Sequence, residues 1–288
     1  MSECILGTVQ FGLDYGINNT HGKPGEGEVF DILEHAFRNG VRLLDTAHSY
    51  GSAEEVIGRY HAPGREPFSI ISKFVRNGSD ASQVRTGFLE GLERMSVDHY
   101  HTYHFHRFEE LAQSDDLMSM FSTLKEEGKM TYLGVSVYDD YQFEQAINHS
   151  HVDVIQIPFN LLDNRKSKRD LLTKCQKAKK QLHARSVFLQ GLFFMDADKL
   201  PAKLLPMRQA LLRLRAIASE ANLTMEELAL GYVMTNDEIQ GVLIGVDNVD
   251  QLKHNLAAAS IRLPDEVMDA VHQIRVEEPS LLSPVNWT

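Results

Sequence analysis

Short apolar runs rich in β-branched residues and longer amphipathic runs take turns eight times along this chain. The apolar runs predict strands over 5–9, 42–45, 68–73, 101–106, 132–136, 153–158, 182–188 and 241–246. Between them, side chains recur at helical spacing. Val29, Ile32, Leu33, Ala36 and Phe37 do so over 28–39, where Gly40 stops the helix. Further helices are predicted over 53–60, through Val84, Phe88, Leu92 and Met95, through Leu117, Phe121 and Leu124 up to Gly128, and over 141–148, 168–179 and 249–259. Strands without polar alternation are covered on both faces. Eight such βα units in one chain predict an α/β protein, a closed (β/α)8 TIM barrel. An open doubly wound sheet would carry a G-x-G-x-x-G loop after its first strand, and this chain has none. The rhythm breaks before strand eight, where 207–221 and 225–235 read as two extra helices. Another helix is expected over 265–274 and an irregular tail over 277–288.

The length of 288 residues suits one barrel of about 250 residues with additions, and no linker or repeat divides it, so a single domain over 1–288 is expected. A net charge of -11 with scattered basic residues excludes a nucleic-acid footprint; the basic cluster at 174–180 reads as a solvated helix face. Cys4 and Cys175 make no disulfide framework. With neither a spanning apolar run nor a signal peptide, a cytoplasmic protein with no membrane partner is expected. The sequence carries no signature of an oligomeric state.

In a barrel the carboxyl ends of the strands converge on one mouth, where active sites gather. Here strand two ends at Asp45 with Tyr50 just beyond, strand three ends at Lys73 and strand four at His106. A lysine closing an apolar strand is costly without a partner, and Asp45 is the obvious one. A tyrosine beside the ammonium is expected to have its pKa lowered from about 10 toward neutrality, which would make it a general acid near pH 7. An adjacent imidazole can hold a substrate oxygen toward that acid. The set is suited to protonating a carbonyl oxygen while something else attacks the carbon.

The motifs around these residues resemble those of the aldo-keto reductases. Asp45-Thr46-Ala47 with Tyr50 is similar to that family's D-T-A-x-x-Y, and Ile71-Ser72-Lys73 to its strand-three lysine motif. The stretch 92–98 resembles L-x-R-L-x-x-D, with His106 eight residues beyond its aspartate. Glu127-Gly128-Lys129 through Gly134-Val135-Ser136 resembles G-K-I-R-x-x-G-V-S. The resemblance runs from about residue 5 to 256. It implies hydride transfer from NADPH or NADH to the carbonyl of a small molecule, with Tyr50 as general acid, Lys73 and Asp45 tuning it, and His106 orienting the carbonyl. It implies that Ser136 and Gln156 hold the nicotinamide carboxamide, that Gly7 and Thr8 lie near the ring, and that Asn255 contacts adenine. Two departures stand out. Val137 replaces an asparagine, and the ring-stacking position, often aromatic, falls on Arg185. At the turn where relatives clasp the 2′-phosphate of NADP, the lysine, serine and arginine positions fall on Gly245, Val246 and Gln251, with Asp247 and Asp250 beside them. Relaxed selectivity between NADPH and NADH is therefore expected, with Asp247 available to a ribose hydroxyl and Lys253 the one compensating cation.

Two other readings were weighed. A nucleotide-binding regulatory subunit of the same fold is disfavoured by the intact tetrad. A metal-dependent barrel hydrolase would use His104 and His106, two apart on one strand face, yet the later strands end in Ser136, Pro158 and Asp247 and supply few ligands. No metal is expected; His104 reads as a hydrogen-bonded interior residue, and His48 and His101 as structural or surface residues. A sugar or sugar derivative suits a polar mouth of Arg107, Glu109, Glu110 and His48.

Overall fold

The structure, a computed structural model, describes residues 2–19, 22–62 and 64–287. Eight parallel strands close on one another in chain order: β1 (Glu3–Gly7), β2 (Leu43–Asp45), β3 (Ser69–Phe74), β4 (Tyr100–Phe105), β5 (Met130–Ser136), β6 (Val154–Pro158), β7 (Gln181–Arg185) and β8 (Gly241–Gly245). The ring closes where β8 runs beside β1, from Glu3 against Gly241 to Gly7 against Gly245. Around it lie α1 (Val9–Gly12), α2 (Glu26–Arg38), α3 (Ala53–His61), α4 (Ala81–Arg94), α5 (Phe108–Leu111), α6 (Asp115–Glu126), α7 (Asp140–Asn148), α8 (Lys166–Lys177), α9 (Arg208–Glu220), α10 (Met225–Met234), α11 (Val249–Ala258) and α12 (Asp265–His272). This is the (β/α)8 TIM barrel of the alternating sequence. Helices α9 and α10 both lie between β7 and β8, one more than the alternation needs, and α12 follows the last barrel helix. Among the described residues no helix is long and apolar enough to cross a membrane.

Most boundaries fall within two residues of expectation, and the larger departures have local causes. The first strand, expected over 5–9, ends at Gly7, because Thr8 leaves the extended region and Val9 begins a turn of helix. The seventh, expected over 182–188, ends at Arg185, because Ser186 turns to a φ of 59°. Leu189 and Gln190 also take left-handed φ in the loop that follows, an arrangement that costs free energy in non-glycine residues. The tail is not wholly irregular: Pro279–Leu282 and Pro284–Trp287 form two 3-10 turns, each opened by a proline; Thr288 lies outside the described residues.

Ile5, Leu43 and Ile71, with Leu243 against them, form a small apolar layer inside the barrel. The larger core lies between strands and helices. Within it, Phe74 stacks on Tyr103 at 4.9 Å, Tyr100 stacks on Tyr103 at 5.1 Å, and Phe88, Phe105 and Phe121 pack edge-on or tilted around them. Such pairs add about 0.5–1.5 kcal/mol each beyond burial. They fix β3 and β4, the strands that carry Lys73 and lead to His106.

The interior also holds two imidazoles. His104 is fully buried beside Lys73 in the β3–β4 register, and His183 is buried on β7. His104 was expected to be hydrogen-bonded; neither of its ring nitrogens has a partner among the described residues, nor has Nδ1 of His183. Each ring is accommodated by a glycine on a neighbouring strand. A Cβ on Gly134 would lie 2.6 Å from the His104 ring, and one on Gly241 would lie 2.7 Å from that of His183.

Candidate active site

At the carboxyl ends of the strands one cavity of about 910 Å3 opens, and it draws its wall from every part of the chain. Asp45, Tyr50, Lys73 and His106 all line it. So do Gly7, Thr8, Ser136, Gln156, Arg185, Gly245, Asp247, Gln251 and Asn255. The structure thus gathers into one space the strand-end residues and, from the turn after β8, Gly245, Asp247, Gln251 and Asn255, while Val246, Asp250 and Lys253 stay outside its wall.

Beneath Tyr50, the Lys73 ammonium and Asp45 Oδ1 form a direct ion pair. Both side chains are almost wholly buried, so the pair survives only because its remaining polar atoms are satisfied. Lys73 also donates to the Thr46 carbonyl at 3.0 Å, and Asp45 Oδ2 accepts from Gln156 Nε2 at 2.8 Å. Burial presses the Lys73 pKa down, and Asp45 opposes the shift.

Tyr50 hangs over this pair, with Lys73 Nζ 5.2 Å from its ring centroid. The loop that carries it is held close to α1: a Cβ on Gly12 would collide with the Tyr50 carbonyl oxygen. The lowered phenol pKa expected for Tyr50 is not what the structure gives. Burial raises it, the Asp45 carboxylate adds to the rise, and Arg185 opposes it. The physical reason is that desolvation of the buried phenolate outweighs the pull of an ammonium already paired with Asp45. Tyr50 therefore stays protonated across the working pH range.

His106 follows β4, its ring edge-on to Tyr50 with centroids 6.0 Å apart. Its Nδ1 lies 3.4 Å from the Ser49 hydroxyl, and Nε2 has no partner among the described residues. Burial, then Lys73 and Arg185, lower its pKa to about 3. The imidazole is neutral, a hydrogen-bonding group rather than a charge.

Arg185 closes β7. Its Nη2 donates to the Val137 carbonyl at 3.2 Å, its Nη1 to Ser186 Oγ at 3.4 Å, and its guanidinium lies 4.5 Å from the Tyr138 ring centroid. At the end of β8 the Gln10 side chain covers Gly245 so closely that a Cβ there would come within 2.5 Å of its amide nitrogen. Gln10 Oε1 is buried with no partner among the described residues. Beyond, Asn248 caps α11 by accepting from Gln251 N at 2.9 Å, while Gln251 Oε1 accepts from Asp247 N at 2.8 Å. Lys253, the one cation expected to compensate here, pairs with Asp250 at 2.9 Å and lines a separate hollow with Glu3 and Cys4.

The mouth differs from the polar rim expected. Arg107, Glu109, Glu110 and His48 are not part of the cavity wall. Glu110 accepts from the backbone of Arg76 at 2.8 Å, and Glu109 from Gln142. His48 lies behind the loop, 3.6 Å from Glu54 and 3.5 Å from the Tyr103 hydroxyl. Tyr15, Asn18, Tyr138, Phe188, Gln190 and Phe194 form the wall instead, with the C-terminal turns across from them. Sequence reasoning also passed over Glu54, a buried carboxylate that accepts from Arg94 at 2.5 Å and Ser72 at 3.3 Å. It reads as an ordinary first-turn acid of α3, and its only hint is the apolar Val56 and Ile57 beside it. Among the described residues, no three His, Cys, Asp or Glu side chains converge as a metal site would need.

Comparison with known proteins places this geometry. The model of the Aldo/keto reductase family matches residues 3–276. An uncharacterized oxidoreductase of Bacillus subtilis, YrpG, is 24% identical, covering 95% of this chain and 92% of its own length. The NADH-specific methylglyoxal reductase of Escherichia coli is 23% identical, covering 82% of this chain and 83% of its own. Among solved structures, the fold is similar to an aldo-keto reductase from Bacillus halodurans in its holo form. The TM-score is 0.75 at 20% identity, over 94% of this chain and 91% of that one.

Proposed function

The chain belongs to the aldo/keto reductase family of oxidoreductases, and from that premise we propose that it reduces a small carbonyl compound with NADH or NADPH, Tyr50 giving the proton. The observation that carries the proposal is the buried Lys73–Asp45 pair directly beneath Tyr50, in the cavity that also holds His106, Ser136 and Gln156. When bound, the reduced nicotinamide supplies a hydride. The chain supplies the rest. His106 Nε2 and the Tyr50 hydroxyl offer two hydrogen bonds to one carbonyl oxygen, and Tyr50 protonates it as the carbon is reduced. Lys73, 5.2 Å from the ring centroid, stabilises the phenolate left behind.

Residues in the same wall fit the cofactor. Ser136 and Gln156 are paired in the β5–β6 register, and Gln156 keeps Oε1 free to accept a carboxamide N–H after its amide nitrogen is taken by Asp45. Gly7, Thr8, Gly245, Gln251 and Asn255 continue the groove toward the start of α11. With Gly245 under Gln10 and Lys253 paired elsewhere, the turn supplies no lysine or arginine among the described residues for a 2′-phosphate. NADH is accepted at affinity comparable to NADPH. The amide- and tyrosine-rich wall supports a hydroxylated substrate of sugar type, and the unpaired Cys4 and Cys175 suit a reducing, cytoplasmic setting.

Following absorbance at 340 nm over a panel of aldehydes, ketones and sugars tests the activity. Tight binding of cofactor with no turnover on any of them would favour a regulatory role instead. Dissociation constants for both reduced cofactors test selectivity; a preference for NADPH above about 100-fold, near 2.7 kcal/mol, would overturn the reading of the turn.

A further inference from the structure

We propose that Arg185 makes this site discriminate by redox state, binding the reduced nicotinamide and rejecting the oxidised one. The inference rests on the functional reading above, in which the family's ring-stacking position falls on Arg185.

Three observations carry it. First, Arg185 has no carboxylate partner among the described residues, although it lines the cavity at the end of β7. The other lysine and arginine in that wall are both paired: Lys73 with Asp45, and Arg165 with Asp140 and Asp163. Second, the guanidinium is tethered on two sides. Val137 and Ser186 hold its two terminal nitrogens and the Tyr138 ring backs its plane at 4.5 Å, while its Nε is buried and unbonded. Third, the charges around the reacting centre do not cancel. Lys73 and Asp45 neutralise each other and His106 and Tyr50 are neutral, which leaves Arg185 as the charge at the strand ends; Asp139 of the same wall makes no ion pair with it among the described residues and instead caps α7 through Gln142 N at 2.8 Å.

A planar guanidinium can stack on a neutral ring. The nicotinamide ring is neutral when reduced and gains one positive charge when its hydride, with both electrons, has passed to the carbonyl carbon. That new charge meets a fixed like charge in a partly dehydrated cavity, where Coulomb repulsion is poorly screened. An aromatic residue in the same position would stack on either form without that penalty. The consequence is a site that loads the reduced cofactor from a mixed pool and lets the oxidised product go readily, which suits an enzyme working toward carbonyl reduction.

Calorimetric titration of the intact protein, Arg185→Gln and Arg185→Lys with NADH and NAD+ tests this without turnover. The intact protein should bind NADH at least about tenfold more tightly, about 1.4 kcal/mol. Arg185→Gln should collapse the ratio toward one, mainly by tightening NAD+, and Arg185→Lys should keep it. A ratio that Arg185→Gln leaves unchanged, or an equal loss for both forms, overturns the inference and leaves the reductase reading intact. If neither form binds the intact protein, the functional reading falls and this inference with it.

Discussion

Gln156 donates its side-chain amide to Asp45 at 2.8 Å. That bond occupies the second oxygen of a carboxylate whose first is held by Lys73. It joins β6 to β2 across the barrel mouth, so the residue proposed to hold the carboxamide is braced by the pair proposed to tune Tyr50. Placement of the hydride donor and readiness of the proton donor then share one support.

Tyr50→Phe should retain cofactor affinity and lower kcat by a factor on the order of 10² or more, the usual scale of a lost general acid. Because burial holds the phenol pKa up, the intact enzyme should show no loss of activity from Tyr50 ionisation between pH 6 and 9. Steady-state kinetics with a fixed carbonyl substrate checks both; near-wild-type turnover of the variant would remove Tyr50 from the mechanism.

Lys73→Met should cost activity and stability together. It leaves the Asp45 carboxylate buried with only Gln156 beside it, a loss of about 3–5 kcal/mol for a broken buried pair. The double variant Lys73→Met, Asp45→Asn removes the stranded charge and should recover part of that stability, though not activity. Denaturant unfolding of the two singles and the double measures the coupling; additive losses would show that the pair contributes nothing as a pair.

The alternation of short apolar and amphipathic segments carried most of this fold, because period and length survive in one dimension. The strand-end tetrad was visible for the same reason: Asp45, Lys73 and His106 stand where apolar runs stop. What the sequence hid was mostly a matter of three dimensions. Val187 and Phe188 extend the apolar run past Arg185, and only the positive φ of Ser186 reveals the end of β7. The direction of the Tyr50 shift depended on how deeply the phenol is buried and on the Asp45 carboxylate beneath it, neither of which spacing encodes. Glu54 and Arg94 lie 40 residues apart, and their pairing leaves no periodic mark.

Acid should destabilise the protein early. Burial pushes the pKa of His183 down to about 3 and that of His104 well below the ordinary value. Below about pH 6.5 the unfolded chain binds protons at both sites that the folded chain refuses, so stability is present above that pH and is lost as pH falls toward the folded values. Each site contributes up to about 1.4 kcal/mol per pH unit within that window, about 3 kcal/mol per pH unit for the two. Urea unfolding at pH 7, 6 and 5 should show this slope, and His104→Phe should reduce it by about one proton. A slope unchanged in that variant would place the acid sensitivity elsewhere.

Gly134→Ala should destabilise the barrel by about 1–3 kcal/mol, the range for overpacking a filled interior, because the new methyl would sit 2.6 Å from a buried ring on the next strand. Combining it with His104→Ala should relieve most of that clash. Thermal melts of the two singles and the double decide; a single variant as stable as the parent would mean the ring has room to move.

Gln10 and Gly245 impose an order on how this groove can change. A lysine at 245, the direct route to a phosphate clasp, must place its Cβ where the Gln10 amide already stands. The first substitution on that route is therefore obstructed while the Gln10 side chain keeps its present position. Shortening Gln10 opens the space but gains nothing for phosphate by itself. A lineage or an engineer adding a lysine here therefore has to turn the Gln10 side chain aside or shorten it, so the fate of position 10 is tied to that of position 245.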